Sequence, residues 1–153
     1  MMVSRMVYPV LIALFLLGCE RAYVKPDGFA PYLNTYENRA VTPDRVVYRV
    51  RKFENKKGGD LAFWKVALKT HMKDSGYIIL SDEDVVAKET PGYLLKMAAP
   101  VANQDYIYLI SIFIKDDNLY VIESAGEINV FAKYERNILQ TINSTDLRGQ
   151  FTN

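Results

Sequence analysis

Few side chains in this sequence could carry chemistry, and their types and spacing limit what that chemistry can be. There is one cysteine, Cys19, and one histidine, His71. Together they are too few soft ligands for a four-coordinate zinc site, and a lone thiol forms no internal disulfide. Gly58-Gly59 is followed by Asp60 and lacks the Gly-Lys-Ser/Thr that closes a phosphate-binding loop. Glu123 is the one acid placed inside a strong β-forming run, and opposite Ser111 it would be either a carboxyl whose pKa burial raises or a hydrogen-bonded structural group. His71 stands beside an apolar helical stripe, with no partner residues in the pattern that a catalytic or metal role requires. No nucleophile and base, and no carboxylate pair, stand at a catalytic spacing. The expectation is a chain without catalytic residues, metal or cofactor.

Two acidic stretches remain. Asp82, Glu83 and Asp84 precede the β-rich half of the chain, and Asp116 and Asp117 stand in a turn within it. Antiparallel pairing brings both to one end of a sheet, where they read as an interaction surface for a basic partner, as oxygen ligands for calcium, or as solvated turns. The spacing and glycine of an EF-hand loop are missing.

The chain has 153 residues, room for one domain with a substantial core. Without residues 1–18, which hold one basic residue, Arg5, and no acid, the charges balance at 18 of each sign. A neutral chain lacks the basic surplus that displaces counterions from a phosphate backbone, so nucleic acid is not an expected partner.

Residues 1–18 follow the layout of a bacterial export signal: Arg5, a 12-residue apolar run from Met6 to Leu17, then Gly18 and Cys19. The run is shorter than the roughly 20 residues that span a hydrocarbon core. Leu16-Leu17-Gly18-Cys19 resembles the lipobox of bacterial lipoproteins, which implies cleavage before Cys19, acylation of its thiol and new amine, and a palmitate-type anchor in the inner or outer membrane. At about 0.8 kcal/mol per buried methylene, several acyl chains hold a protein permanently.

Residues 19–44 carry Pro26, Pro31, Pro43 and Gly28 and read as a lipidated linker or arm, about 25–30 Å end to end if flexible. Tyr23, Phe29, Tyr32 and Tyr36 point to part of it lying against the domain. A single domain is expected over residues 45–144. Its first strand alternates Val46, Tyr48 and Val50 with Arg45, Arg49 and Arg51, a basic face that would either meet anionic headgroups or guard an exposed strand edge. Asp60 is a helix N-cap, Leu61, Trp64, Leu68 and Met72 recur at helical spacing, and Gly76 suits the C-terminal cap. Tyr77–Leu80 reads as a short strand followed by the charged loop of Asp82–Asp84. Three strands then form a meander over Tyr93–Pro100, Tyr106–Lys115 and Leu119–Ala125. The middle run is apolar on both faces and therefore interior. A three-residue hairpin, Asp116-Asp117-Asn118, would set Ser111 opposite Glu123. Ile128, Phe131, Ile138 and Ile142 mark a closing helix, and residues 145–153 read as a frayed tail.

This order gives an α+β fold, an antiparallel sheet with a C-terminal three-stranded meander and helices on both faces. The runs GYLLKMAAPV, DYIYLISIFI, LYVIESAGE and FAKYERNILQTINS are similar to those of small bacterial lipoproteins with the PsbP-type sandwich. That fold is shared by a photosystem extrinsic subunit and a Ran-binding import factor. The resemblance implies a non-enzymatic accessory or binding role and transfers no functional residue. The expected function is that of a cell-envelope module that binds or helps assemble another envelope protein, facing the periplasm or exterior. A carrier for a small apolar or lipidic ligand is the alternative, and an enzyme ranks below both. Replacing the anchor residue, Cys19→Ser, is expected to abolish acylation and release the protein from the membrane fraction or leave its signal uncleaved, read by mass spectrometry of the intact chain.

Overall fold

The computed structural model describes residues 24–32, 38–56, 58–101 and 104–151. Cys19, the expected signal and the start of the expected arm lie outside them. Seven strands form one antiparallel sheet: β1 (Ala30–Pro31), β2 (Asn38–Val41), β3 (Val47–Glu54), β4 (Ile78–Ala87), β5 (Thr90–Val101), β6 (Gln104–Lys115) and β7 (Asn118–Glu127). Their order across the sheet is β1-β2-β3-β7-β6-β5-β4. Helix α1 (Leu61–Asp74) joins β3 to β4, and helix α2 (Ile128–Ser144) follows β7. Among the described residues no helix is long and apolar enough to cross a membrane.

The two-sided pattern of β6 becomes two cores. Ile107, Leu109 and Phe113 face α2, where Phe131, Ile138 and Ile142 pack on Tyr48, Tyr120 and Ile122. Ile110 and Ile112 face the other way, with Tyr93, Leu95 and Met97, under Trp64, Leu68 and Met72 of α1. The helix ends follow the sequence logic. Asp60 accepts from the Phe63 amide at 2.8 Å. At the other end Gly76, at φ 85°, completes a Schellman motif in which Tyr77 N donates to Met72 O and Gly76 N to Lys73 O. Glu127 caps α2, accepting from the Asn129 and Val130 amides, and the Asn129 amide holds its carboxyl below the usual carboxylate range.

Four expectations are corrected. The β6–β7 turn has two residues, with Asp116 at φ 49° and Asp117 at φ 57°, and Lys115 pairs with Asn118. Two successive left-handed residues form the type I′ turn that matches strand twist. The register accordingly shifts by one: Ser111 stands opposite Ile122, and Glu123 opposite Ile110 on the α1 face. Secondly, the charged loop is strand. β4 runs on through Asp82, Glu83 and Asp84 to Ala87, with a bulge at Leu80. Thirdly, the domain begins before residue 45, since β1 and β2 extend the sheet and Phe29 packs in the α2-side core. Over Val47–Val50 β3 therefore lies between β2 and β7, so Arg49 guards no edge.

Lastly, residues 145–151 do not fray. Leu147 is 1 % exposed in the α2-side core, and a 3₁₀ turn covers Gly149–Phe151. Asp146 pairs with Lys88 in the β4–β5 turn, and Arg148 donates from Nε and Nη2 to Asp116 at 2.7 and 3.1 Å. One buried Leu between two ion pairs in a polar segment gives no periodic signal.

Gly92 shows how closely the meander is packed. A Cβ there would lie 2.3 Å from the Phe113 ring and 2.7 Å from the Ile112 carbonyl oxygen. Gly92→Ala is expected to lower stability by about 1–3 kcal/mol, measured by urea denaturation.

Candidate functional site

Two groups of polar side chains gather on the α1 face of the sheet. The first centres on Glu123, which is 5 % exposed. Cross-strand pairing places Arg49 directly beside it, and Arg51 follows two residues along β3 on the same face. Arg49 Nε donates to Oε2 at 3.1 Å and Arg51 Nη2 to Oε1 at 2.8 Å. The Tyr108 hydroxyl also donates to Oε1. Burial first, and then this hydrogen bond, push the Tyr108 phenol well above the usual tyrosine range. Both carboxylate oxygens are thus filled by donors, so Glu123 is held as an acceptor and clamps β3 to β7. The arginines of the expected basic face separate: Arg49 and Arg51 lie here, whereas Arg45 occupies the Thr42–Arg45 turn at φ 68°.

The second group lies between α1 and the outermost strand, β4. Asp82 and Asp84 are two residues apart on one face of a strand, about 6.6 Å, while Lys65 and Lys69 are one turn apart on α1, about 6 Å. The matched spacing lets two ion pairs form side by side, Lys69–Asp82 at 2.7 Å and Lys65–Asp84. Tyr93 on β5 donates to Asp82 Oδ2 at 2.8 Å. The Lys69 contact, and then that of Tyr93, hold the Asp82 carboxyl below its ordinary range. Burial, and then the Asp82 bond, raise the Tyr93 phenol. These residues, with Val66 and Glu83, line an open cleft of about 410 Å³. Val66 in its wall is 68 % exposed, and Phe63 of α1 and Ile78, Leu80 and Val86 of β4 are also exposed. Beyond β4 there is no further strand among the described residues, so its outer row of backbone groups faces no ladder partner.

The fold has near neighbours among solved structures. A protein of unknown function from Pseudomonas aeruginosa superposes with a TM-score of 0.56 at 10 % identity, covering 68 % of this chain and 74 % of its own. The cyanobacterial PsbP protein of Synechocystis, CyanoP, gives a TM-score of 0.54 at 12 % identity over 82 % of this chain and 86 % of its own. The fold is PsbP-like. No family model matches the sequence, and no curated protein does.

Within this PsbP-like frame the predicted acids have separate partners. Asp82, Glu83 and Asp84 line the cleft, whereas Asp116 is taken by Arg148 and Asp117 stands beside it in the turn. Among the described residues no three His, Cys, Asp or Glu side chains gather as metal ligands, and His71 is exposed on the last turn of α1. Sequence reasoning missed Lys65, Lys69, Tyr93 and Tyr108. The signal for the lysines was present: positions 65, 69 and 73 form a cationic stripe at helical spacing beside the apolar one.

Losing the Glu123 charge leaves two guanidiniums and a phenol with a weaker acceptor. Glu123→Gln is expected to cost about 1–3 kcal/mol, the arginines being about one-third exposed. Chemical denaturation of Glu123→Gln beside Tyr108→Phe measures it, and the glutamine variant should be the less stable.

Proposed function

We propose that this chain is a lipid-anchored cell-envelope protein whose α+β domain is a non-catalytic binding or assembly module, taking an extended segment of another envelope protein along β4. The observation that carries the reading is the outer edge of β4. Its ten residues end the sheet with no further strand beyond them among the described residues, with exposed apolar side chains and a charged cleft alongside. An added strand satisfies such an edge through main-chain hydrogen bonds, and neighbouring pockets select its side chains. A second copy of the chain fits poorly, because antiparallel self-pairing centred on Glu83 sets Asp82 opposite Asp84 and Glu83 opposite itself. Glu83 forms no ion pair among the described residues and favours a Lys or Arg in the incoming segment. The lipobox resemblance at Cys19 supports the anchor, and the accessory roles implied by the PsbP resemblance support the module. A carrier for an apolar ligand would need an apolar enclosure, whereas this cleft is open and walled by Lys65, Lys69, Asp82 and Asp84.

Photocrosslinking in cells tests the edge. Benzoylphenylalanine at Leu80 and at Val86 is expected to give one common discrete adduct that Glu83→Lys diminishes severalfold. Adducts formed only from a control position on α2, such as Gln140, would refute strand addition at β4.

A further inference from the structure

The arm that follows the anchor does not trail freely from the domain. Pro26 is buried, Phe29 is 4 % exposed, and the Phe29 ring meets Tyr134 of α2 edge-on at 5.6 Å. Asn137 of the same helix donates to the Asp27 carbonyl at 3.2 Å. The arm therefore crosses α2. Cys19 is five residue steps from Val24, and five steps reach at most about 18 Å even when fully extended. A chain anchored at Cys19 must hold the α2 side of its domain close to the headgroups.

That side has a distinct charge pattern. The outward stripe of α2, Asn129, Lys133, Arg136 and Gln140, is exposed and contains no acid. Lys25 lies in the arm, and exposed Arg45 stands next to Asp44, whose carboxylate accepts from the Tyr134 hydroxyl at 2.7 Å. None of these four cations forms an ion pair among the described residues. The acids on this side are Asp27, Asp44, Glu127 on the helix amides, Glu135, which Lys96 holds at 2.6 Å, Asp146, which Lys88 holds, and, by strand alternation, Glu83 on β4 and Asp105 on β6. Val24, 47 % exposed, and Ile128, 41 % exposed, add apolar side chains at the rim. Arg49 and Arg51 face the opposite layer and are committed to Glu123.

We infer that the α2 face, with Lys25, Arg45, Lys133 and Arg136, rests on an anionic leaflet, so that the α1–β4 cleft opens away from the bilayer. The inference depends on the anchor reading. A basic surface held this near a membrane feels the leaflet potential within a Debye length of about 8 Å, whereas the α1 face, a sheet and a helix further out, does not.

Acylation consumes the only thiol, so a cysteine introduced elsewhere takes a single label. Full-length acylated protein carrying a fluorophore at Gln140→Cys or Val66→Cys is inserted into phosphatidylethanolamine–phosphatidylglycerol vesicles containing a headgroup-labelled quencher lipid. Quenching is expected to be severalfold stronger at position 140 than at 66. Lys133→Glu with Arg136→Glu, or phosphatidylcholine in place of phosphatidylglycerol, should reduce it toward the level at 66. Equal quenching at both positions, stronger quenching at 66, or indifference to both charge changes would overturn the orientation while leaving the anchor standing. A protein that stays in solution with an unmodified Cys19 thiol would overturn both.

Discussion

Glu123 and the side chains that reach it hold together the two parts of the chain that local folding cannot join. β4 through β7 each pair antiparallel with the next strand in the chain, and α2 follows immediately. β3 precedes all of them, and its contact with β7 spans 74 residues between Arg49 and Glu123. Ordering that loop has an entropic cost that grows slowly with length, so the junction needs specific compensation. The β3–β7 ladder supplies backbone bonds, and Glu123 adds two guanidiniums and a phenol around one carboxylate. Slipping β3 by one residue would turn both arginines to the α2 face and put Tyr48 and Val50 outside that core.

How much of this was legible depended on whether a residue's local signal agreed with its tertiary setting. The helix α1 was readable because cap, apolar stripe and terminal glycine all concurred at Asp60, Trp64 and Gly76. β6 declared itself interior by being apolar on both faces. The strand at Asp82–Asp84 was not readable, because an edge strand tolerates charges on either face and these two aspartates answer to lysines on another element. The hairpin length was ambiguous for a related reason: Asp and Asn both tolerate a left-handed backbone, so Asp116-Asp117-Asn118 permits either turn. That single ambiguity misplaced Glu123 relative to Ser111 and hid the arginine cluster. The cleft was half visible: its acids stand out as a run, whereas Lys65 and Lys69 have a spacing that any solvated helix face shows.

The sheet also separates two kinds of surface. On the α2 side the arm, the helix and the segment after it close over the larger core, leaving a cationic outer stripe. On the α1 side a shorter helix covers β5 and β6, and its lysines reach the rim strand. A single layer of strands thus insulates two electrostatically distinct faces, and the chain order that puts α1 before the meander and α2 after it is what assigns one helix to each.

The ion pairs made by Asp146 and Arg148 give the C-terminal segment an unexpected standing. Lys88 and Asp116 belong to the two hairpin tips at the same end of the sheet, and Leu147 seats itself in the core between the residues that grip them. The segment after α2 is therefore a clasp. Without Asp146, Leu147 and Arg148 both tips would lose their partners and the base of the core would be wetted. The end of the sheet that carries both tips is in this way closed by a segment with no regular period of its own.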